Sequence, residues 1–518
     1  MAISGRSGFW ALGIALGGGL ALAAACGSDD GGGGGGSGGA KPDGSLGGAA
    51  GNAGAAGGSG GGAGDAANDP APSRSLALMF ERVKPGTDFV AVVTALESGV
   101  KTPGLTLTVQ SSRGTVGAVT DQGDGTYRAA VTRDALDTGE YVVTAAAPAW
   151  GAQVSRTSIV LKEVGTRWGQ PEAFAGFINT PAWEDSLAIS PDGEWVILEY
   201  IPVSITCILA HFDEPTHPSC AKAVGPWQAP ERPGMPGATR IAADGTIHHG
   251  CPALGLDPTP FAAPPQSLFG FHRQSDGSFA EPFAIGIDNV DGCVSAFGPS
   301  MLAPSGGKVP FVFAFDNPVD GDPPAGTQAD VFFTQLELGK PSFLGVYAAG
   351  KMSMNATSLG FPTAGQQGNP HYYGSGSTTQ IWVDDESSAE KDLGVYELSG
   401  SFPGGPWTGP TKLPSPLGDP GKEDIQPFYD GKEAIWTRDL TIVSSAHSGG
   451  PVTAVGSWSA PSTELRGDPA SSATQAVVGV GEPTKATRNG RQVLAFVYVM
   501  HAPNGDVDIN AGFVEEQP

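Results

Sequence analysis

One local pattern recurs along the last two-thirds of this 518-residue chain: an aromatic side chain, two residues, then a proline. It occurs as Trp168-Gly169-Gln170-Pro171, Trp227-Gln228-Ala229-Pro230, Phe279-Ala280-Glu281-Pro282, Trp407-Thr408-Gly409-Pro410 and Trp458-Ser459-Ala460-Pro461. The steps between copies are 59, 52, 128 and 51 residues; the longest is two units of 64, which points to a degenerate copy near Phe343. Matches beginning at Phe212, Phe261 and Phe315 fall out of register. Six units of roughly 50–64 residues suit a propeller or a related array, in which each unit buries its apolar face against its neighbours.

Several units also carry an acidic lead, a turn and an apolar strand. The clearest runs from Glu184-Asp185-Ser186-Leu187 through Pro191-Asp192-Gly193 into Trp195-Val196-Ile197-Leu198. Others are Ala242-Ala243-Asp244-Gly245, Ala303-Pro304-Ser305-Gly306, Glu423-Asp424-Ile425 through Asp430-Gly431, and Glu482-Pro483-Thr484 through Asn489-Gly490. Proline presets φ, and Asp-Gly or Asn-Gly supplies positive φ, so each turn joins antiparallel strands. Together with Asp392-Leu393-Gly394-Val395-Tyr396, these segments resemble the TolB-type, WD-repeat-like propellers. In that family an Asp-Ile-x strand precedes the aromatic-x-x-Pro element within a blade. The resemblance therefore implies that Asp508-Ile509-Asn510-Ala511 at the chain's end shares a blade with the Trp168 segment, a clasp that removes open sheet edges.

The N-terminus reads as an export address. Arg6 precedes an uncharged, small and apolar run from Phe9 to Ala25, a signal-peptide pattern too short and glycine-broken for a membrane span. Leu22-Ala23-Ala24-Ala25-Cys26 resembles the bacterial lipobox, with the leucine one place earlier than usual, and implies lipidation of Cys26. Residue 27 is glycine and not aspartate, which by the same resemblance favours the outer membrane. Residues 26–74 are almost entirely Gly, Ala, Ser, Asp and Asn. They cannot bury enough apolar area to order themselves and form a tether with a reach of roughly 35–40 Å.

Residues 75–164 read as a β-sandwich of short alternating strands. Within it, Gly123-Asp124-Gly125-Thr126-Tyr127 and Thr138-Gly139-Glu140-Tyr141 resemble bacterial Ig-like, filamin-type repeats, which implies a spacer or adhesion module. Cysteine counting agrees with export. With Cys26 lipidated, Cys207, Cys220, Cys251 and Cys293 form an even set suited to two disulfides. Cys207 with Cys220 is the local choice, but the pairing is not readable from sequence.

The formal charge of −25 argues against nucleic acid and anionic lipid as partners. Acids recur at the starts of the expected inner strands: Glu184, Asp185, Asp291, Glu423, Asp424 and Glu482. At one propeller mouth they could bind Ca²⁺ or hydrogen-bond a sugar or peptide, or they could cap backbone amides. Paired carboxylates would also suit glycoside cleavage. His211, His217, His248 and His249 near Cys220 and Cys251 resemble a zinc set, although disulfides explain the cysteines better. Asn504, Asp506, Asp508 and Asn510 alternate like a calcium loop but lack its glycine and closing glutamate. No nucleophile elbow, phosphate loop or zinc-protease motif is present.

The expectation is all-β: a signal peptide (1–25), a tether (26–74), an Ig-like sandwich (75–164) and a six-bladed TolB-like propeller (165–518). No catalytic residue is assigned and no metal or cofactor is required, with Ca²⁺ the ion that the mouth carboxylates would suit. The expected role is a lipid-anchored, non-catalytic scaffold for an envelope protein or glycan. The alternative is a polysaccharide hydrolase or lyase using the mouth carboxylates.

Overall fold

The computed structural model describes residues 72–83, 88–134, 138–210, 217–224, 246, 267–289, 295–316, 329–337, 339–348, 351–361, 367–385, 392–501 and 507–517. The signal peptide, Cys26 and all but the end of the tether lie outside these residues. So do Cys251, Cys293, Asp291, His211, His248, His249, Asn504, Asp506 and the Trp227 element.

The fold is nearly all β. Its first unit contains β1 (Arg74–Arg82), β2 (Phe89–Glu97), β3 (Val100–Lys101), β4 (Thr108–Ser111), β5 (Thr115–Val116), β6 (Thr120–Asp121), β7 (Thr126–Thr132), β8 (Gly139–Ala147) and β9 (Ala152–Val160). One sheet runs β1-β2-β7-β5, with β3 beside β2 and β6 beside β7; the facing sheet includes β4-β8-β9. Strict in–out alternation along β7 and β8 puts Tyr127, Val131, Tyr141 and Val143 into the core between them.

After β10 (Glu163–Val164) and β11 (Glu172–Ala173) come the propeller blades. The first holds β12 (Trp183–Ile189), β13 (Trp195–Ile201), β14 (Ser267–His272) and β15 (Phe283–Asn289). The second holds β16 (Ser295–Met301), β17 (Lys308–Asp316) and β18 (Ala329–Glu337). The hairpin β19 (Ser342–Ala348) and β20 (Lys351–Met354) extends the first blade past β15, and β21 (Thr357–Ser358) completes the second. The third contains β22 (Gln367–Ser375), β23 (Thr378–Asp385), β24 (Asp392–Leu398) and β25 (Trp407–Lys412). The fourth contains β26 (Asp424–Tyr429), β27 (Glu433–Arg438), β28 (Thr441–Ala446) and β29 (Ser462–Arg466), with β10 added at its edge. The fifth contains β30 (Val477–Arg488), β31 (Arg491–His501) and β32 (Val507–Glu515), closed by β11.

Among the described residues the ring has five blades, which corrects the expected six. Inner strands β12, β16, β22, β26 and β30 contact one another in sequence, and β30 returns to β12. Five hydrophobic clusters fill the five junctions, so successive residues of one strand face different neighbours. Leu198 packs toward the fifth blade with Val497, while Ile197 packs toward the second with Phe311 and Phe313. The count failed because the segment between β13 and β14 is a long insertion within one blade, and it carries the Trp227 copy of the repeat. The region near Phe343 is the edge hairpin, not a further unit. Where the aromatic-x-x-Pro element is described, it leads into or begins the outer strand of a blade. Its Trp168, Phe279, Trp407 and Trp458 are buried in the packing between elements.

The ring closes through the chain's two ends. Glu172 and Ala173 of β11 pair with Phe513 and Gly512 of β32, and Trp168 bridges Glu516. On its other side, Glu172 pairs with Ser158 of β9, so one seven-stranded sheet runs from the sandwich into the fifth blade. The sandwich is thus continuous with the propeller and is not a free spacer. Charge locks the same place. Arg167 donates to Glu433 (2.9 Å) and Glu464 (3.0 Å) of the fourth blade, and Lys485 of the fifth donates to Asp430 (2.8 Å) and Glu433. The indole of Trp168 donates to Glu464 (2.5 Å).

Removing Arg167 would leave the buried Glu464 carboxylate without its cation. Because Arg167 is itself part-exposed, we expect Arg167→Ala to cost roughly 2–3 kcal/mol. Thermal unfolding checks this: the variant should melt several degrees lower, and Arg167→Lys should recover only part of the loss.

Candidate active site at the propeller axis

All five inner strands bulge at the same place. Register with the second strand breaks between Asp185 and Ala188, Phe297 and Ser300, Gly368 and His371, Ile425 and Phe428, and Gly481 and Thr484. Each bulge holds one left-handed residue: Ser186 (φ 48°), Gly298 (55°), Asn369 (41°), Gln426 (56°) and Glu482 (54°). Four of these are not glycine, a conformation that costs roughly 1–2 kcal/mol each and recurs at functional sites. At Gly298 a Cβ would fall 2.9 Å from the Asn369 Cα, so close approach of the neighbouring strand requires glycine there.

The next residue is proline in four blades: Pro299, Pro370, Pro427 and Pro483. Proline has no N–H to leave unpaired at a bulge. The exception is Leu187, whose N–H donates to Glu482 Oε2 (3.0 Å). These residues, with Ser300, His371, Phe428 and Thr484, line an axial cavity that opens to solvent.

Glu482 is the acid on the cavity wall. Behind it, its carboxyl hydrogen-bonds that of Asp185, and Glu199 lies opposite Asp185 across the β12–β13 pair. All three are buried, and Asp185 Oδ1 has no hydrogen-bond partner among the described residues. Burial, then mutual repulsion, holds Glu482 and Glu199 well above the usual carboxylate range, and burial pushes Asp185 up to about 6. Asp185 and Glu482 therefore titrate as a hydrogen-bonded pair, with Glu199 adding repulsion from the next strand. Across the cavity His371 is neutral, its pKa lowered by burial to about 4. Its Nε2 donates to the Tyr429 carbonyl (2.8 Å), which leaves Nδ1 to accept from the Ser300 hydroxyl (3.3 Å).

The sequence-derived acids divide. Asp185 and Glu482 join at the axis. Glu184 is fully buried and takes a hydrogen bond from Thr180 (2.5 Å), beside Asp508 and away from the cavity. Asp424 is bound to Arg438 (2.6 Å) and Trp436 (2.7 Å), a structural ion pair. Glu423 stands near Asp439 at the strand entry, where its N–H donates to that carboxylate (3.4 Å). Cys207 and Cys220 form a disulfide, as the local pairing expects. His217 caps the short helix Pro218–Ala221 through Nδ1, which accepts from the Ser219 N–H (3.3 Å). Among the described residues no cluster of His, Cys, Asp or Glu could hold a metal ion. Asp508 and Asn510 are strand residues of β32, paired with Met500 and Tyr498.

Glu199, Ser300, Asn369, His371 and Gln426 are site residues that the acidic-lead reading passes over. A second repeat marks most of the bulges: a small or polar residue before proline, at Gly298-Pro299, Asn369-Pro370, Gln426-Pro427 and Glu482-Pro483.

No protein-family model and no curated protein matches the chain, so the TolB-type and lipoprotein resemblances have no family support. Solved structures of propeller type do match. The subtype N11 neuraminidase-like protein of A/flat-faced bat/Peru is 9% identical over 67% of this chain and 90% of its own, with a TM-score of 0.31. An exo-1,5-alpha-L-arabinanase from a bovine ruminal metagenomic library is 9% identical over 65% and 94%, with a TM-score of 0.32. A GH43 protein from Bacillus licheniformis is 9% identical over 65% and 54%, with a TM-score of 0.34. Likenesses at this level transfer no residue roles. The expected non-catalytic scaffold is corrected: the matching solved structures include GH43 enzymes, and Glu482 stands on the cavity wall with Asp185 behind it.

Raised carboxyl pKa values set the sign of a pH effect. The folded chain binds these protons more tightly than the unfolded chain does. The stability they contribute is therefore present below the ordinary carboxylate range and is lost as pH rises through about 6 and beyond. We expect Glu199→Gln to melt higher than the wild type at pH 8, with the gap closing toward pH 4. Equal destabilisation at both pH values would contradict the buried-acid assignment.

Proposed function

We propose that this chain cleaves glycosidic bonds of a polysaccharide, with the axial cavity as the reacting centre. The observation that supports it most is the buried carboxyl cluster of Asp185, Glu199 and Glu482, of which Glu482 stands on the wall of that cavity. A carboxyl that stays protonated near neutral pH is what a general acid needs to protonate a departing glycosidic oxygen. In this reading Glu482 donates that proton to the departing oxygen, water adds to the sugar carbon so released, and the proton the water gives up returns to the Asp185–Glu482 pair. The direct Asp185–Glu482 contact is tighter than the separated carboxylates of two-residue glycosidases. The pair therefore acts as one proton-carrying group on one side of the bond. Ser300 and Asn369 supply polar contacts for sugar hydroxyls on the opposite wall, with His371 holding the Ser300 hydroxyl.

The Ig-like sandwich braces the closing blade, and a signal peptide with a lipidated Cys26 and a glycine-rich tether place the enzyme at the cell envelope, at the outer membrane. Incorporation of labelled palmitate that disappears in Cys26→Ser tests the anchor.

Activity is tested by reducing-end release from a panel of neutral and acidic polysaccharides that includes linear arabinan. Glu482→Gln should lose on the order of 10²–10⁴-fold in kcat while melting within a few degrees of the wild type. Full activity in that variant would rule out the axial site.

A further inference from the structure

We propose that Gln426 is a positioning residue that orients the Glu482 carboxyl and thereby sets which member of the Asp185–Glu482 pair holds the shared proton. This rests on the reading of the axial cavity as the reacting centre.

Gln426 is buried and left-handed, and each of its polar groups has a fixed partner. Its backbone N–H donates to Asp384 Oδ1 (2.5 Å), on the second strand of the preceding blade. Asp384, 1% exposed, also accepts from the Asn369 side-chain amide (2.7 Å), so one carboxylate secures two neighbouring bulges. The Gln426 side-chain oxygen accepts from the Glu482 N–H (3.0 Å) and from the Thr437 hydroxyl (2.7 Å). Turning the amide over would set its NH₂ against the Glu482 N–H, donor against donor. Its Nε2 must then point at Glu482 Oε1, 2.8 Å away.

With the Leu187 N–H on Oε2, each oxygen of Glu482 receives one N–H donor. Donors of this kind favour the negative form of the carboxyl they touch; Asp185 receives one, from the Ser186 backbone N–H, while its Oδ1 has no partner among the described residues. The other groups around Glu482 make the balance legible. β12 contributes Asp185 and β13 contributes Glu199, and both oppose ionisation. β22 contributes the neutral His371 across the cavity. On β26 Asp424 is tied to Arg438, on β27 Thr437 is uncharged, and on β31 Val497 lies opposite Gly481. Lys485 of β30 itself is engaged with Asp430 and Glu433. Gln426 is thus the one side-chain donor on Glu482 that a conservative replacement can withdraw.

The test is an infrared titration of carboxyl groups in the full chain, with the Glu482 band assigned by its loss in Glu482→Gln. Gln426→Asn keeps an amide and tolerates the left-handed backbone but draws the donor back. Gln426→Glu keeps the size and the acceptor but removes the donor. The Glu482 band should titrate roughly one pH unit higher in Gln426→Asn, and further in Gln426→Glu, where a like charge is added. The pH profile of polysaccharide cleavage should move with it. An unchanged Glu482 titration in a folded Gln426→Asn protein overturns the proposal, whatever the activity. A shifted band in a protein that cleaves no polysaccharide upholds the positioning role and removes the catalytic reading instead.

Discussion

The pairing of two residues, Glu172 and Ala173, with the last long strand of the chain is the constraint on which the structure depends. A row of antiparallel blades has two open edges, each with unsatisfied N–H and C=O groups. Here β11 fills the edge of β32 and is itself backed by β9, so the ring has no loose end at its seam. The ionic lock of Arg167, Glu433, Glu464 and Lys485 stands at that seam. Closure in turn fixes the axis: only when β30 returns against β12 do Glu482 and Asp185 come within hydrogen-bonding contact.

Around that axis the blades share one backbone device and differ in side chain. Every inner strand turns left-handed at its bulge, but the residue that does so is Ser, Gly, Asn, Gln or Glu. Repetition therefore builds the cavity, and divergence gives it two chemically distinct walls. The acids gather where the fifth blade meets the first, and the amides and the neutral histidine belong to the third and fourth. The missing proline at Leu187 fits this division, since its free N–H serves the one acid that lines the cavity.

Much of the architecture was readable from the sequence. The aromatic-x-x-Pro element marks outer strands, because a large apolar side chain buried between elements must recur with the blade. Alternation in β7 and β8 gave the sandwich, and the Asp508-Ile509 strand was expected to meet the Trp168 segment, as it does. The blade count was not readable, because an insertion between β13 and β14 carries its own Trp-x-x-Pro and imitates a unit. Asp185 and Glu482 were legible as strand-leading acids. Their resemblance to Glu184 and Asp424 hid the difference in fate: one neighbour points toward Thr180, and the other is neutralised by Arg438. Glu199 lay on the second strand, where cross-strand register decides its company and no local pattern reports it. His371, Asn369 and Gln426 were signalled by their place at or next to the polar-proline pairs, a spacing that acquires meaning once the strands are seen to bulge together.

The central claim is that the axial cavity holds the bond that is cleaved. A crystal structure of the Glu482→Gln protein with the oligosaccharide that the wild type cleaves tests it most directly. The account predicts sugar density in the cavity, with a glycosidic oxygen within hydrogen-bonding distance of the residue at position 482 and hydroxyls on Ser300 or Asn369. Well-ordered sugar bound elsewhere, with the axial cavity holding only water, would contradict it.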